Sequence, residues 1–384
     1  MKKAWRIVLS FGLVSLFADI TYEGARGVLP NYFDLLGATA TIVGFSLSLA
    51  EFIGNSLRFV FGYFADRTKR YWLFTFSGYI INLFSIPALA LVNRWDLALL
   101  LIIMERFGKS FRTPAREVLL ASVTRDISTG KVFGVHEALD QIGAMLGPLI
   151  ASIILYITNV NYKITFLFFA IPAILSVSFL VSAYTGYDVS YLDKNVLKSV
   201  ENNNNDELDK IYWYYVIGIS FAILGLFYFA VLLYISKEEM LFPEWFVPLI
   251  YFLIMGVDAV AALVFGLFYD KFGKIVNIVI PVMAIFIGFL MSTITQTTVL
   301  IAAILLGIAI GVFESVSRGA IADIVKTSKR GFGYGAFYTV SGLATLLSGV
   351  IFGYFYEANL LQFMPLYVII TEGLALYFIS ISSR

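Results

Sequence analysis

The chain has 384 residues, of which 60% are hydrophobic and only 14% are charged. Soluble domains carry about a quarter of charged residues, so this composition predicts an integral membrane protein. The net charge of +1 gives no indication of a nucleic-acid partner. The absence of cysteine excludes thiolate clusters, and a single histidine argues against an all-protein zinc site, so we expect neither a metal nor a bound cofactor.

Apolar runs of about twenty residues, long enough to cross a hydrocarbon core about 30 Å thick, recur along the sequence. We count twelve and predict one membrane-spanning helix for each. The spans of the first half are 7–29, 41–64, 71–92, 97–118, 131–157 and 163–184. Those of the second half are 212–235, 245–268, 275–295, 299–321, 331–355 and 361–381. The domains predicted from these spans are two six-helix bundles, 1–184 and 212–384, and a polar linker, 185–211.

The first span follows Met1-Lys2-Lys3, as the apolar part of a signal peptide would. It is long, carries Asp19 and Glu23, and has no small-residue cleavage site, so we expect it to stay uncleaved. Basic residues concentrate on one side of the spans, which the positive-inside rule makes the cytoplasmic side. Both termini are therefore expected in the cytoplasm, in a multi-pass protein of the cell (plasma or inner) membrane.

Ionisable residues lie inside several spans, where each costs about 2.5 to 3.5 kcal/mol to insert at the bilayer centre. The candidates for a proton or substrate path are Asp19, Glu23 and Arg26 in span 1, Glu105, Arg106 and Lys109 in span 4, and His136 and Asp140 in span 5. The second half offers Asp258, Glu314, Arg318 and Glu372. Two interpretations are open: structural ion pairs, or a solvated path in which a carboxylate near a base acts as a proton switch.

One short stretch occurs twice. Residues 61–70, FGYFADRTKR, return at 265–274 as FGLFYDKFGK, which predicts two related halves. Each copy ends an apolar run with a tight turn, an acid and two or three bases. The pattern Gly-x-x-x-Asp-[Arg/Lys]-x-Gly-[Arg/Lys] resembles the loop signature of the major facilitator superfamily, with Lys69 in the first copy where the pattern has glycine.

This resemblance implies a secondary transporter with a cytoplasmic gate at the repeated loop. By resemblance the gate motif contains Gly62, Asp66, Arg67 and Arg70 with Arg112 and Arg116, and in the second copy Gly266, Asp270, Lys271, Gly273 and Lys274. Asp66 and Asp270 would dock on the positively charged starts of spans 11 and 5. The resemblance also links Arg106 to proton coupling.

Span 5 carries a second pattern. Gly134, Gly143 and Gly147 fall on one side of a helix and would let another helix approach closely, and Pro148 removes a backbone donor. The arrangement resembles the antiporter motif of the drug–proton antiporter branch, with Ala151-Ser152 in place of the final glycine pair. By resemblance it implies an exporter that exchanges its substrate for protons.

We therefore predict a monomeric secondary transporter that exports a small, amphiphilic molecule and takes its energy from the proton gradient. Its expected partners are the substrate, protons and membrane lipid. The alternatives are an importer or facilitator of a nutrient or anion, a lipid flippase, and, from another class, a sensor or receptor without transport. We find no nucleophile–base or metal constellation that would indicate an enzyme.

Overall fold

The computed structural model describes residues 2–123, 127–187, 208–326 and 329–383. Helices dominate these residues, since a backbone inside lipid must satisfy its own hydrogen bonds. The first eight are α1 (Lys2–Arg26), α2 (Leu29–Leu35), α3 (Ala40–Thr68), α4 (Tyr71–Ala88), α5 (Trp95–Ser122), α6 (Thr129–Ile157), α7 (Tyr162–Phe168) and α8 (Ala170–Gly186). The next eight are α9 (Lys210–Gly225), α10 (Phe229–Glu238), α11 (Val247–Phe272), α12 (Val279–Leu290), α13 (Gln296–Val312), α14 (Arg318–Ile324), α15 (Arg330–Glu357) and α16 (Met364–Ser383).

Ten helical stretches among the described residues are long and apolar enough to cross a membrane, where the sequence predicts twelve spans. Two features account for the difference. The stretch Glu244–Leu290 has 47 residues, about 70 Å as a helix, and contains the predicted spans 245–268 and 275–295. Gly273, with φ of +66°, separates them. The predicted span 97–118 lies in α5, which carries too many charged residues to count as apolar.

Contacts group the chain into two compact units. The first unit contains Met1–Val28 and Ile53–Asn202, and the second contains Leu29–Phe52 and Asn203–Arg384. Residues 29–52 therefore pack with the second unit, although the predicted bundle boundary assigned them to the first. The division at the linker stays a prediction, and residues 188–207 of the predicted linker lie outside the described residues.

The first unit is built on two close helix pairs, α1 with α6 and α4 with α5, and α1 also packs on α8. Glycines allow the close approach within both pairs. A Cβ added to Gly147 of α6 would lie 2.6 Å from the backbone nitrogen of Gly24 in α1. A Cβ added to Gly108 of α5 would lie 2.7 Å from the backbone oxygen of Gly78 in α4. These contacts hold α6 against α1 and α5 against α4.

In the second unit α9 packs on α15 and α16, and α13 packs on α11 and α12. Two of its membrane-length stretches are irregular. The stretch Lys210–Glu238 is interrupted between α9 and α10, where Leu226 and Tyr228 adopt extended backbone angles. The residues between α13 and α14, Phe313–Ser317, form a π-helical turn. Interruptions of this kind inside membrane helices occur often at functional sites.

The start of α3 belongs to the second unit because small residues face each other there. A Cβ added to Gly353 of α15 would lie 2.6 Å from the backbone oxygen of Ala40. Thr41 donates from its hydroxyl to Oε2 of Glu357 at 2.5 Å, and Lys237 of α10 forms an ion pair with Asp34 of α2. These contacts hold residues 29–52 in the second unit.

Candidate functional site

An acid–base cluster lies where α1, α5 and α6 of the first unit meet. On α1, Nη1 of Arg26 donates to both oxygens of Glu23, at 3.0 and 3.2 Å. From α5, the ammonium of Lys109 lies 4.0 Å from Oε1 of Glu23 and 3.9 Å from the centre of the Tyr22 ring. Glu23 is 6% exposed. One carboxylate is therefore shared by bases of two helices.

Asp19 and Asp140 carry the other carboxylates of this cluster. The Tyr22 hydroxyl donates to Asp19, which is 4% exposed, and the Ser15 hydroxyl donates to Asp140 of α6. Arg116 of α5 joins them, because its Nη1 donates to Oγ of Ser15 at 3.2 Å. Electrostatic interaction also connects Asp140 with Arg116 and with Asp19. Six of the eight path residues predicted from spans 1, 4 and 5 thus meet at one site, namely Asp19, Glu23, Arg26, Lys109, His136 and Asp140.

Two basic side chains of the cluster keep polar atoms without hydrogen bonds. Arg112 of α5 is 1% exposed and stacks on the Tyr79 ring, with Cζ 4.0 Å from the ring centre. Its Nε and Nη1, and both ring nitrogens of the buried His136, find no hydrogen-bond acceptor or donor among the described residues. A buried polar network that is only partly satisfied is costly if its sole role is structural.

Glu105 and Arg106 lie at the edge of this cluster, where Arg106 interacts electrostatically with Lys109. Oε2 of Glu105 lies 3.2 Å from Nε of Arg106, its neighbour in sequence. Asn82 of α4 donates to the backbone oxygen and to Oε1 of Glu105, at 3.1 and 2.7 Å, and a Cβ added to Gly54 of α3 would lie 3.2 Å from Cβ of Arg106. This pair therefore connects α5 to α4 and α3. The coupling role of Arg106 stays a prediction.

Sequence reasoning missed several partners of the acids and bases, namely Ser15, Tyr22, Tyr79 and Asn82. A signal for two of them was present. Ser15 stands four residues before Asp19 and Tyr22 three residues after it, so all three share one face of α1. Hydroxyl groups at that spacing from a buried acid are candidate donors. Asn82 and Tyr79 belong to another helix, and helical spacing within one segment does not identify them.

Both copies of the repeated loop have a positive φ at the matching position, and Gly273 combines it with a ψ of −152°. Lys69 has a φ of +57° and Gly273, at the matching position, a φ of +66°. The lysine thus adopts the left-handed conformation that the pattern reserves for glycine. The second copy is also anchored, since the ammonium of Lys274 donates to the backbone oxygen of Ser382 at 2.8 Å.

The remaining gate residues are mostly exposed. Asp66 accepts a hydrogen bond from the Tyr71 hydroxyl at 3.1 Å, whereas Arg112 and Arg116, expected beside it, lie in the acid–base cluster. Arg67, Arg70, Asp270 and Lys271 are exposed, and Gly62 and Gly266 are half-buried. The docking of Asp66 and Asp270 on helix starts stays a prediction.

The glycines of span 5 differ from one another. Cβ atoms added to Gly143 and Gly147 would meet backbone atoms of α1, at 2.5 Å from the Leu16 oxygen and 2.6 Å from the Gly24 nitrogen. A Cβ added to Gly134 would meet nothing within 4 Å. Pro148 lies inside α6 directly after this contact. Close packing thus accounts for two of the three glycines.

Three of the four candidates of the second unit lie around the π-helical turn, and the fourth, Glu372, lies in α16. Asp258 of α11 is 3% exposed, and its backbone oxygen would lie 2.6 Å from a Cβ added to Gly311. Glu314 is within the turn, and Arg318 follows it with an exposed side chain. In the parts of the chain that the structure describes, no three His, Asp or Glu side chains are grouped as metal ligands.

Comparisons with known proteins agree with this architecture. Residues 11–349 match the family described as Major Facilitator Superfamily. An uncharacterized protein of Mycobacterium tuberculosis is 34% identical over 360 residues, which cover 93% of this chain and 88% of the relative. An uncharacterized MFS-type transporter of Methanocaldococcus jannaschii is 26% identical over 364 residues, 92% of this chain and 89% of its own.

Two further comparisons concern shorter or more distant matches. The multidrug resistance protein MdtH of Photorhabdus laumondii is 28% identical over 122 residues, 32% of this chain and 30% of that protein. The crystal structure of the nucleoside transporter NupG superposes with a TM-score of 0.72 over 98% of both chains, at 14% identity. That likeness shows the fold, and the predicted all-α membrane fold of two six-helix bundles is confirmed.

Proposed function

Since the chain belongs to the Major Facilitator Superfamily and is a multi-pass membrane transporter, we propose that it exports a small, amphiphilic molecule in exchange for protons. The observation that carries the proposal is the acid–base cluster of α1, α5 and α6. We further propose that both termini are cytoplasmic, as the distribution of basic residues indicates.

The cluster has the chemistry of a proton switch. Glu23 is held between Arg26 and Lys109, and Asp140 is linked through Ser15 to Arg116. Protonation of either carboxyl would remove the negative charge that holds a base in place. The released base could then move or attract a substrate group. Export by exchange follows if substrate and proton compete for these groups.

Two other observations support export over import. The relatives named as multidrug resistance proteins match 32 to 57% of the chain, at 23 to 28% identity. In addition, the glycine contact of α6 with α1 lies within the pattern that resembles the antiporter motif. Gly143 packs directly against Asp19, with its added Cβ 2.9 Å from that of the acid. Movement at this contact would therefore move an acid of the cluster.

Import of an anion is a second candidate function. It is favoured by the basic face of α5, and in particular by Arg112, whose Nε and Nη1 find no acceptor among the described residues. A carboxylate or phosphate group could accept hydrogen bonds from these nitrogens. Under this alternative, substrate and proton would move in the same direction, or no proton would move.

Transport in proteoliposomes distinguishes these functions. A ligand is first identified by thermal shift of the purified protein, and its flux is then measured with and without an imposed pH gradient. We expect a gradient to drive uptake against the proton flow. Asp140→Asn and Glu23→Gln should abolish gradient-driven flux while counterflow of the same ligand persists.

The control is Asp96→Asn, at the start of α5, whose carboxylate is 42% exposed and pairs with the nearby Arg94. This variant should leave both fluxes unchanged. Flux that ignores the pH gradient in the wild-type protein would contradict antiport. Co-directional movement of an anionic ligand and protons would favour the second function, and binding without any flux would favour a sensor.

A further inference from the structure

A buried acid in the second unit has no role in the proposed function. Glu372 lies in the middle of α16 and is 0% exposed. Neither of its carboxylate oxygens makes a hydrogen bond within the described residues. A carboxyl group in this setting differs from Glu23 and Asp140, which are both surrounded by donors.

Glu372 faces the interruption between α9 and α10. A Cβ added to Gly225, the last residue of α9, would overlap Oε1 of Glu372 and Oγ1 of the adjacent Thr371. The backbone is extended after this glycine, at Leu226. The interruption is also fixed in place, because the oxygen of Leu226 accepts from the Ser348 hydroxyl at 2.7 Å. Only glycine at position 225 leaves room for the carboxyl group.

The electrostatics of this place disfavour an ionised carboxylate. A charge removed from water requires a donor or an opposite charge close by, and here the described residues supply no hydrogen-bond donor. The end of α9 adds a further unfavourable contribution, since the carbonyl end of a helix carries partial negative charge. A neutral carboxyl group avoids both costs and can donate its own proton to a carbonyl oxygen.

Among the residues that the structure describes, the neighbouring helices bring no base to Glu372. On α16 itself Tyr367 interacts with it electrostatically, and the Tyr367 hydroxyl donates to the Leu224 oxygen at 3.1 Å. On α9 the nearest ionisable residue is Tyr215, ten residues before Gly225. Helix α12 and the turn Leu361–Phe363 have no ionisable side chain.

The two other neighbours also bring no charge close to Glu372 within the described residues. Helix α15 reaches α16 through Phe352 and Phe355, whose rings contact Tyr367. The turn that precedes α12 contributes Lys274, which donates to the oxygen of Ser382, ten residues after Glu372 and so about 15 Å further along the helix.

We propose that Glu372 is a proton-binding site of the second unit, and that the bound proton is what allows α9 to end against α16 at Gly225. Loss of the proton would create a charge that the described surroundings do not stabilise, and α9 and α16 would then have to separate or admit water. Proton binding is thereby connected to the interruption between α9 and α10. The inference does not rest on the proposed function, because it concerns another unit and no direction of transport.

Infrared spectroscopy of the purified full-length protein tests this site directly. A neutral buried carboxyl group has a carbonyl band separate from the bands of carboxylates. We expect the wild-type protein at neutral pH to show such a band, and Glu372→Gln to lack that part of it. The control Glu357→Gln removes an exposed acid of the same unit that is bound by Thr41, and it should leave the band unchanged. No substrate or gradient is needed, so a negative result here is independent of transport.

A second measurement keeps the test decisive if Glu372→Gln does not fold. Labelling all glutamate carboxyls with ¹³C in the wild-type protein should shift the neutral-carboxyl band, since the other buried glutamates of the described residues, Glu23 and Glu105, are paired with bases. A spectrum with no glutamate contribution to that band overturns the proposal. Thermal stabilisation by Na⁺ in the wild type but not in Glu372→Gln also overturns it, because the carboxylate would then be ionised and hold a metal cation.

Discussion

The contact between α1 and α6 gives the sharpest quantitative prediction. In Gly147→Ala the new Cβ would lie 2.6 Å from the nitrogen of Gly24, 2.8 Å from the oxygen of Ile20 and 3.0 Å from Cα of Gly24. All three are backbone atoms, so no side chain can rotate away. Ordinary contacts begin near 3.4 Å, and α1 and α6 must therefore separate by about 0.8 Å. Overpacking of this kind costs about 1 to 3 kcal/mol.

The control is Gly134→Ala on the same helix, where the added Cβ meets nothing within 4 Å. Alanine is the better helix former there, so this variant should gain about 0.5 to 1 kcal/mol. The free energy of unfolding, measured by SDS titration in mixed micelles, should thus separate the two variants by about 1.5 to 4 kcal/mol. Equal stability of the two variants would show that α1 and α6 are not in the contact described, and the geometry of the acid–base cluster would lose its support.

Three further variants test local features by the same unfolding measurement. Lys69→Gly should raise the free energy of unfolding by about 1 kcal/mol, because it relieves the left-handed lysine, and no gain would argue against that turn. Asn82→Leu should lower it by about 1 to 3 kcal/mol, since it takes a donor from the buried Glu105, and an unchanged value would contradict the hydrogen bond. Lys237→Met should lower it by about 1 kcal/mol, and adding Asp34→Asn should recover part of the loss if the two charges interact.

Much of the fold could be predicted from the sequence because the signal is local. An apolar run of membrane length predicts a helix wherever it occurs, and the stripe of acids on α1 follows from residue spacing alone. The division of Glu244–Leu290 was also predictable, since the repeated loop places Gly273 between its two spans. The sequence therefore predicts where the helices occur and which face of a helix carries its polar residues.

Partners across helices could not be predicted in the same way. Arg112 was expected beside Asp66 and lies on the Tyr79 ring, because helical spacing gives the direction of a side chain but not the helix it meets. Gly134 resembles Gly143 and Gly147 in sequence, yet no helix approaches it. The interruption after Gly225 falls in a strongly apolar run without proline, so hydropathy gives no sign of it.

The packing of residues 29–52 with the second unit has a practical consequence. A chain cut at the predicted linker would yield two fragments, and the later one would lack the Ala40 backbone that receives Gly353 and the Thr41 hydroxyl that binds Glu357. We therefore expect neither fragment to fold stably when it is produced alone. Co-production of both should restore a complete molecule, which makes the break point suitable for a split-reporter assay of assembly in the membrane.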